Sequence, residues 1–86
     1  MKKKNTTYNT IINTDEFHIG IRIKAELKKQ GRTITWLADE IHCTRENLYK
    51  VFLHSWISTD MLFKICVVLH HDFFKDCSEW LKHQKR

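Results

Sequence analysis

The chain has 86 residues, and its 15 lysines and arginines against 10 aspartates and glutamates leave a formal charge of +5. A chain this short closes one modest core, which excludes a two-domain arrangement, and its share of Leu, Ile, Val and Phe exceeds that of chains that stay unfolded. The longest uninterrupted apolar run, Ile65 to Leu69, falls well short of the roughly 20 residues a membrane-spanning helix needs. Met1-Lys2-Lys3-Lys4 leads into polar Asn and Thr rather than a signal-peptide core, so a cytoplasmic protein is expected.

The cysteines narrow the field further. Cys43, Cys66 and Cys77 are odd in number and contain no CxxC, which argues against a disulfide framework and for free thiols serving as small apolar side chains. With glycine only at Gly20 and Gly31 there is no phosphate-cradling loop, and Ser55, Ser58 and Ser78 sit in no GxSxG turn. Neither catalysis nor a cofactor is implied.

The position of the charge is informative. Residues 15 to 83 hold ten basic and ten acidic side chains, so the whole excess sits in Lys2, Lys3, Lys4, Lys85 and Arg86. Within the body, residues 19 to 57 carry seven basic and four acidic groups. The first half is therefore mildly basic.

Residues 1 to 14 carry too few apolar groups at helical spacing to pack, and read as a disordered basic arm ahead of a folded unit at 15–83 and a basic tail at 84–86. Ile19, Ile23 and Leu27 recur at i, i+4 and i+8 before Gly31, which predicts a first helix near 18 to 30 with Ile21 off its stripe. Thr33 can cap a second helix carrying Leu37, Ala38 and Ile41 on one face. After the turn His42-Cys43, Thr44 can cap a third with Leu48, Val51 and Phe52 inward. Ser58-Thr59-Asp60 opens a fourth helix, with Leu62, Ile65 and Leu69 as its buried ladder. Asp72 or Asp76 starts a fifth, in which Asp76 and Glu79 have capping-box spacing. The fold class is all-α with five helices.

The segment Ile34 to Leu53 is the most informative. Two short helices crossing steeply need long apolar groups on their inner faces, here Leu37, Ile41, Cys43, Leu48 and Val51, and a small residue at closest approach, Ala38. With Leu37-Ala38, Thr44-Arg45, the Leu48 and Val51 pair and the Leu62, Ile65, Leu69 ladder, residues 18 to 75 resemble the Cro/cI-type, lambda-repressor-like helix-turn-helix family. Ile19-Gly20, Thr33 to Ala38, Tyr49 to Phe52 and Leu69 to Phe74 look like small Bacteroides-type transcriptional regulators within it. Two positions depart from the family pattern: Ile34 replaces its usual Gln, and His42 replaces the Gly favoured in the turn.

The resemblance implies a DNA-binding transcription regulator with the third helix, about 44 to 54, in the major groove of double-stranded DNA. Its groove-reading positions fall on Arg45, Glu46, Tyr49 and Lys50, with Thr44 as cap and Asn47 beside the backbone; Thr33 and Thr35 are candidates for phosphate contact. Arg45 suits guanine O6 and N7, and Glu46 suits cytosine N4. The plain alternative is a solvated helix face with a weak Glu46 to Lys50 pair, and for Tyr49 packing against the second helix. The Lys2 to Lys4 arm is either a minor-groove or phosphate contact or a solvated tail.

Two rival uses follow from other residues. Cys66, His70, His71, Asp72 and Cys77 lie close enough in sequence to suggest a metal site, though their spacing matches no zinc pattern and a core thiol with surface imidazoles is the expected arrangement. Phe73, Phe74, Trp80 and Leu81 exceed what a small core must bury. They suit a homodimer interface, or an antitoxin-like or anti-repressor module that holds a protein partner through the fifth helix.

Overall fold

The computed structural model describes residues 17–84, and the proposed basic arm, with Lys85 and Arg86 of the tail, lies outside them. The described residues form five α-helices and no strand: α1 (Ile19–Gln30), α2 (Ile34–Glu40), α3 (Arg45–Phe52), α4 (Thr59–Leu69) and α5 (Phe73–Lys82). The protein is all-α.

Every helix begins with a side chain that accepts one of its otherwise unpaired amide hydrogens. His18 Nδ1 accepts from Ile21 N–H at 3.1 Å, Thr33 Oγ1 from Trp36 at 3.0 Å, and Thr44 Oγ1 from Asn47 at 3.1 Å. Ser58 Oγ accepts from Met61 at 3.2 Å and Asp72 Oδ1 from Lys75 at 2.9 Å. Asp72 rather than Asp76 is thus the start of α5. The capping-box spacing of Asp76 and Glu79 is not used, because Asp76 already lies inside the first turn, where its carboxylate meets His71. Gly31 ends α1 with φ 71°, and His70 ends α4 with φ 54°.

The apolar stripes converge on one core. Ile19, Ile23 and Leu27 of α1, Leu37 and Ala38 of α2, Leu48 and Phe52 of α3, and Leu62, Ile65 and Leu69 of α4 are buried, together with Ile41 and Phe73. Each large member contributes about 1.5 to 3 kcal/mol. α3 is wedged between α1 and α2, and α2 also packs on α4. Val51, Cys43, Cys66 and Cys77 pack against this core while keeping some exposure, so the thiols are half-buried rather than interior.

Phe17 is a core residue outside every predicted stripe. Its side chain is fully buried, stacked on Trp56 at 4.9 Å between centroids and tilted against Trp80 at 5.7 Å, with the Arg22 guanidinium 4.5 Å from its ring centre. Nearby, the Ile19 amide donates to the Ser55 carbonyl at 2.7 Å, tying the start of α1 to the loop after α3.

Polar contacts lock the far end of α1. Gln30 Nε2 donates both to Glu26 Oε2 at 2.7 Å and to the Leu69 carbonyl at 2.8 Å. His71 stands between Asp76, 2.8 Å from its Nε2, and Glu26, 3.7 Å from its Nδ1. This corner holds α1, the end of α4 and the start of α5 together, and so fixes the frame in which α2 and α3 sit.

Candidate nucleic-acid interface

α2 and α3 are short, at 7 and 8 residues, and a tight turn joins them. The chain reverses at His42, whose φ of 58° lies in the left-handed region. The Cys43 amide donates back to the Ala38 carbonyl at 3.0 Å and the His42 amide to Asp39 at 3.3 Å, closing α2. Imidazole-bearing residues enter this region more easily than branched ones, which is how the turn forms without the glycine.

From that turn α3 runs outward. Leu48 is fully buried and Phe52 nearly so, which fixes the rotation of the helix about its axis. The opposite face is then open: Arg45, Glu46, Asn47, Tyr49 and Lys50 are all exposed. Arg45, Glu46, Tyr49 and Lys50 stand at i, i+1, i+4 and i+5 and share one stripe. Tyr49 is 51% exposed, so a large part of it stays open to solvent.

The threonines named from sequence gather beside this stripe. Thr33 and Thr44 each cap a helix, so both helix starts present ordered, partly unpaired amides on which an anion can rest. Thr35, exposed in the first turn of α2, accepts a long hydrogen bond of 3.4 Å from Arg45 Nη1. That contact brings the beginning of α2 and the beginning of α3 together and leaves the remaining guanidinium donors available. Among the described residues, the ion pairs are Lys64 with Asp60 and His71 with Glu26 and Asp76, so Glu46 and Lys50 do not form the alternative (i, i+4) pair.

Two residues belong to this surface that the sequence reading did not assign to it. Leu53 caps α3 in near-helical geometry and is 78% exposed, extending the stripe from Tyr49 by one more turn. Its i+4 spacing from Tyr49 was the available signal. Arg32, next to the Thr33 cap, lies flat over the Trp36 ring at 4.2 Å and is held there as a fixed cation.

The other expected clusters fare differently. Phe73 is 1% exposed and belongs to the core, which corrects its place in the expected docking face of α5; Trp80 is half-buried against Phe17. The outward apolar groups of α5 are Phe74, 37% exposed, and Leu81, 69% exposed. The suggested metal ligands do not assemble: Cys66 Sγ accepts the Phe73 amide at 3.3 Å, His71 is engaged by carboxylates, and no three potential ligands among the described residues converge. Burial pushes the Cys43 and Cys77 thiols above the ordinary thiol range, and the Asp76 carboxylate adds to the shift at Cys77. Among the described residues no helix is long and apolar enough to cross a membrane.

Compared with known proteins, the chain matches no family model, no curated protein and no solved structure.

Proposed function

We propose that this protein is a sequence-specific, double-stranded DNA-binding regulator of transcription, acting in the cytoplasm and working by insertion of α3 into the major groove in the manner of a helix-turn-helix. The observation that carries this reading is the stripe Arg45, Glu46, Tyr49, Lys50 and Leu53, exposed along a helix whose opposite edge is locked into the core. A helix is about 10 to 12 Å across with its side chains, and the major groove of B-form DNA is about 12 Å wide. The side-chain chemistry suits base edges: Arg45 for guanine, Glu46 for cytosine, Lys50 for guanine or phosphate, and Leu53 for a thymine methyl. Thr33, Thr35, Thr44 and Asn47, with Arg32, supply the backbone-facing groups that set register. Two copies on inverted half-sites about 34 to 36 Å apart would double the contact, and Phe74 with Leu81 offers an apolar surface for such pairing.

The test is selection of bound sequences from a random duplex pool at about 0.15 M salt, where nonspecific attraction to lysines is weakened. A motif should emerge, and Arg45→Ala should lose about 1 to 3 kcal/mol on it and relax one base preference with the fold intact. A pool that stays random refutes the reading. It would favour a protein-interaction module, for which the exposed Phe74 and Leu81 are the specific support.

A further inference from the structure

We propose that the outer face of α1, together with the start of α2, is a docking groove for an acidic amphipathic helix of a partner protein. The groove is lined by Ile21, Lys24, Ala25, Lys28, Arg32 and Ile34. Ile21 is 61% exposed, two positions from Ile19 and from Ile23 and off the face that the buried stripe occupies. With Ala25 at i+4 and the half-buried Ile34 beside them, it makes an apolar floor.

The rim has a single sign. Among the described residues, Lys24, Lys28 and Arg32 stand around that floor, no carboxylate lines it, and none of the three takes part in an ion pair. Glu26, the one acid of α1, faces the other way, toward Gln30 and His71. Arg32 is already fixed by its stacking on Trp36, so little freedom is lost when it meets a carboxylate.

An apolar floor with an all-cationic rim selects its occupant by complementarity. Apolar side chains at i, i+3 or i+4, and i+7 of a partner helix meet Ile21, Ala25 and Ile34, while its carboxylates meet the rim. A twelve-residue α1 offers about 18 Å of length, enough for three turns of such a helix. A duplex backbone satisfies the cations equally well but leaves Ile21 uncovered, which is why a peptide is the better fit. The groove shares Arg32 with the proposed backbone-facing groups but none of its residues with the α3 stripe, so the inference does not rest on α3 reading DNA.

The experiment is selection from a random display library of peptides of about 12 residues against the immobilised full-length protein at about 0.15 M salt, followed by anisotropy of the enriched peptides. Wild type is compared with Ile21→Ser and with a Lys24→Glu, Lys28→Glu double variant; all three positions are exposed, and circular dichroism verifies folding. Enriched peptides should combine Asp or Glu with branched apolar residues and bind each variant about tenfold or more weakly. No enrichment, or peptides that bind Ile21→Ser as well as wild type, overturns the proposal. It is overturned too if the double variant loses duplex affinity in step with peptide affinity while Ile21→Ser loses neither, since the groove is then a backbone contact for DNA.

Discussion

Gly20 of α1 lies directly against the carbonyl of Phe52 at the end of α3, so the two helices meet main chain to main chain. A Cβ at this position would collide with the Phe52 carbonyl and its Cα, and backbone atoms cannot swing aside as a long side chain can. Gly20→Ala should cost about 1 to 3 kcal/mol through displacement of α1 from α3. Gly31 provides the control: its φ of 71° disfavours alanine, yet a Cβ there meets nothing within 4 Å. Gly31→Ala should cost about 1 kcal/mol from backbone strain alone. Urea midpoints for the two variants check the ordering, and a milder effect at Gly20 would mean the helix crossing is looser than described.

His42 holds a left-handed conformation that glycine adopts freely. His42→Gly should therefore raise stability, by up to about 1 kcal/mol, because relief of strain outweighs the extra freedom of the unfolded chain. Its side chain is exposed and takes part in no hydrogen bond or ion pair among the described residues. A lowered melting temperature would show that the imidazole contributes something beyond turn geometry.

Thr44 separates stability from recognition. Thr44→Ala removes the acceptor for the Asn47 amide and should cost about 0.5 to 2 kcal/mol of folding free energy. Arg45→Ala, one residue on, removes only an exposed side chain with one long hydrogen bond and should leave the unfolding curve in place while DNA affinity falls. If both variants unfold alike, Arg45 is a structural strut instead of a base reader.

The thiols make a chemical prediction. Cys43 and Cys77 are raised by burial, with Asp76 adding to the effect at Cys77, so each holds less thiolate than a free cysteine at a given pH. Alkylation by iodoacetamide at mildly alkaline pH should be slower at both than in the urea-unfolded chain. Because the folded state retains these protons longer than the unfolded state, their contribution to stability is fully present below the ordinary thiol pKa and is lost as pH rises through the higher folded values. Mass spectrometry of time-resolved labelling reads the rates, and equal rates in folded and unfolded protein would contradict the burial.

Much of this architecture is legible in the sequence because helical periodicity and caps are local signals. Ile19, Ile23 and Leu27 announce α1, and Thr33, Thr44 and Ser58 each sit where a helix begins. What periodicity misses is contact between distant segments. Phe17 lies outside α1 and only the arrival of Trp56 and Trp80 makes it a core residue. The small residue expected where α2 and α3 approach, Ala38, is buried, while the backbone-to-backbone contact of Gly20 with α3 joins segments 32 positions apart in sequence and leaves no local signal. At the α3 surface, the exposed stripe follows from the period, whereas the Thr35 to Arg45 contact depends on how steeply the turn sends α3 back across α2.

The aromatic stack also dictates an order of events during synthesis. Phe17 precedes Trp56 and Trp80 in the chain, so both α2 and α3 are synthesised before the stack can close over the core. A nascent chain ended at Leu69 lacks Phe73 and Trp80, and leaves Phe17 with one ring partner in place of two. The α2–α3 segment is thus set in a core that α5 completes, through buried Phe73 and the contact of Trp80 with Phe17.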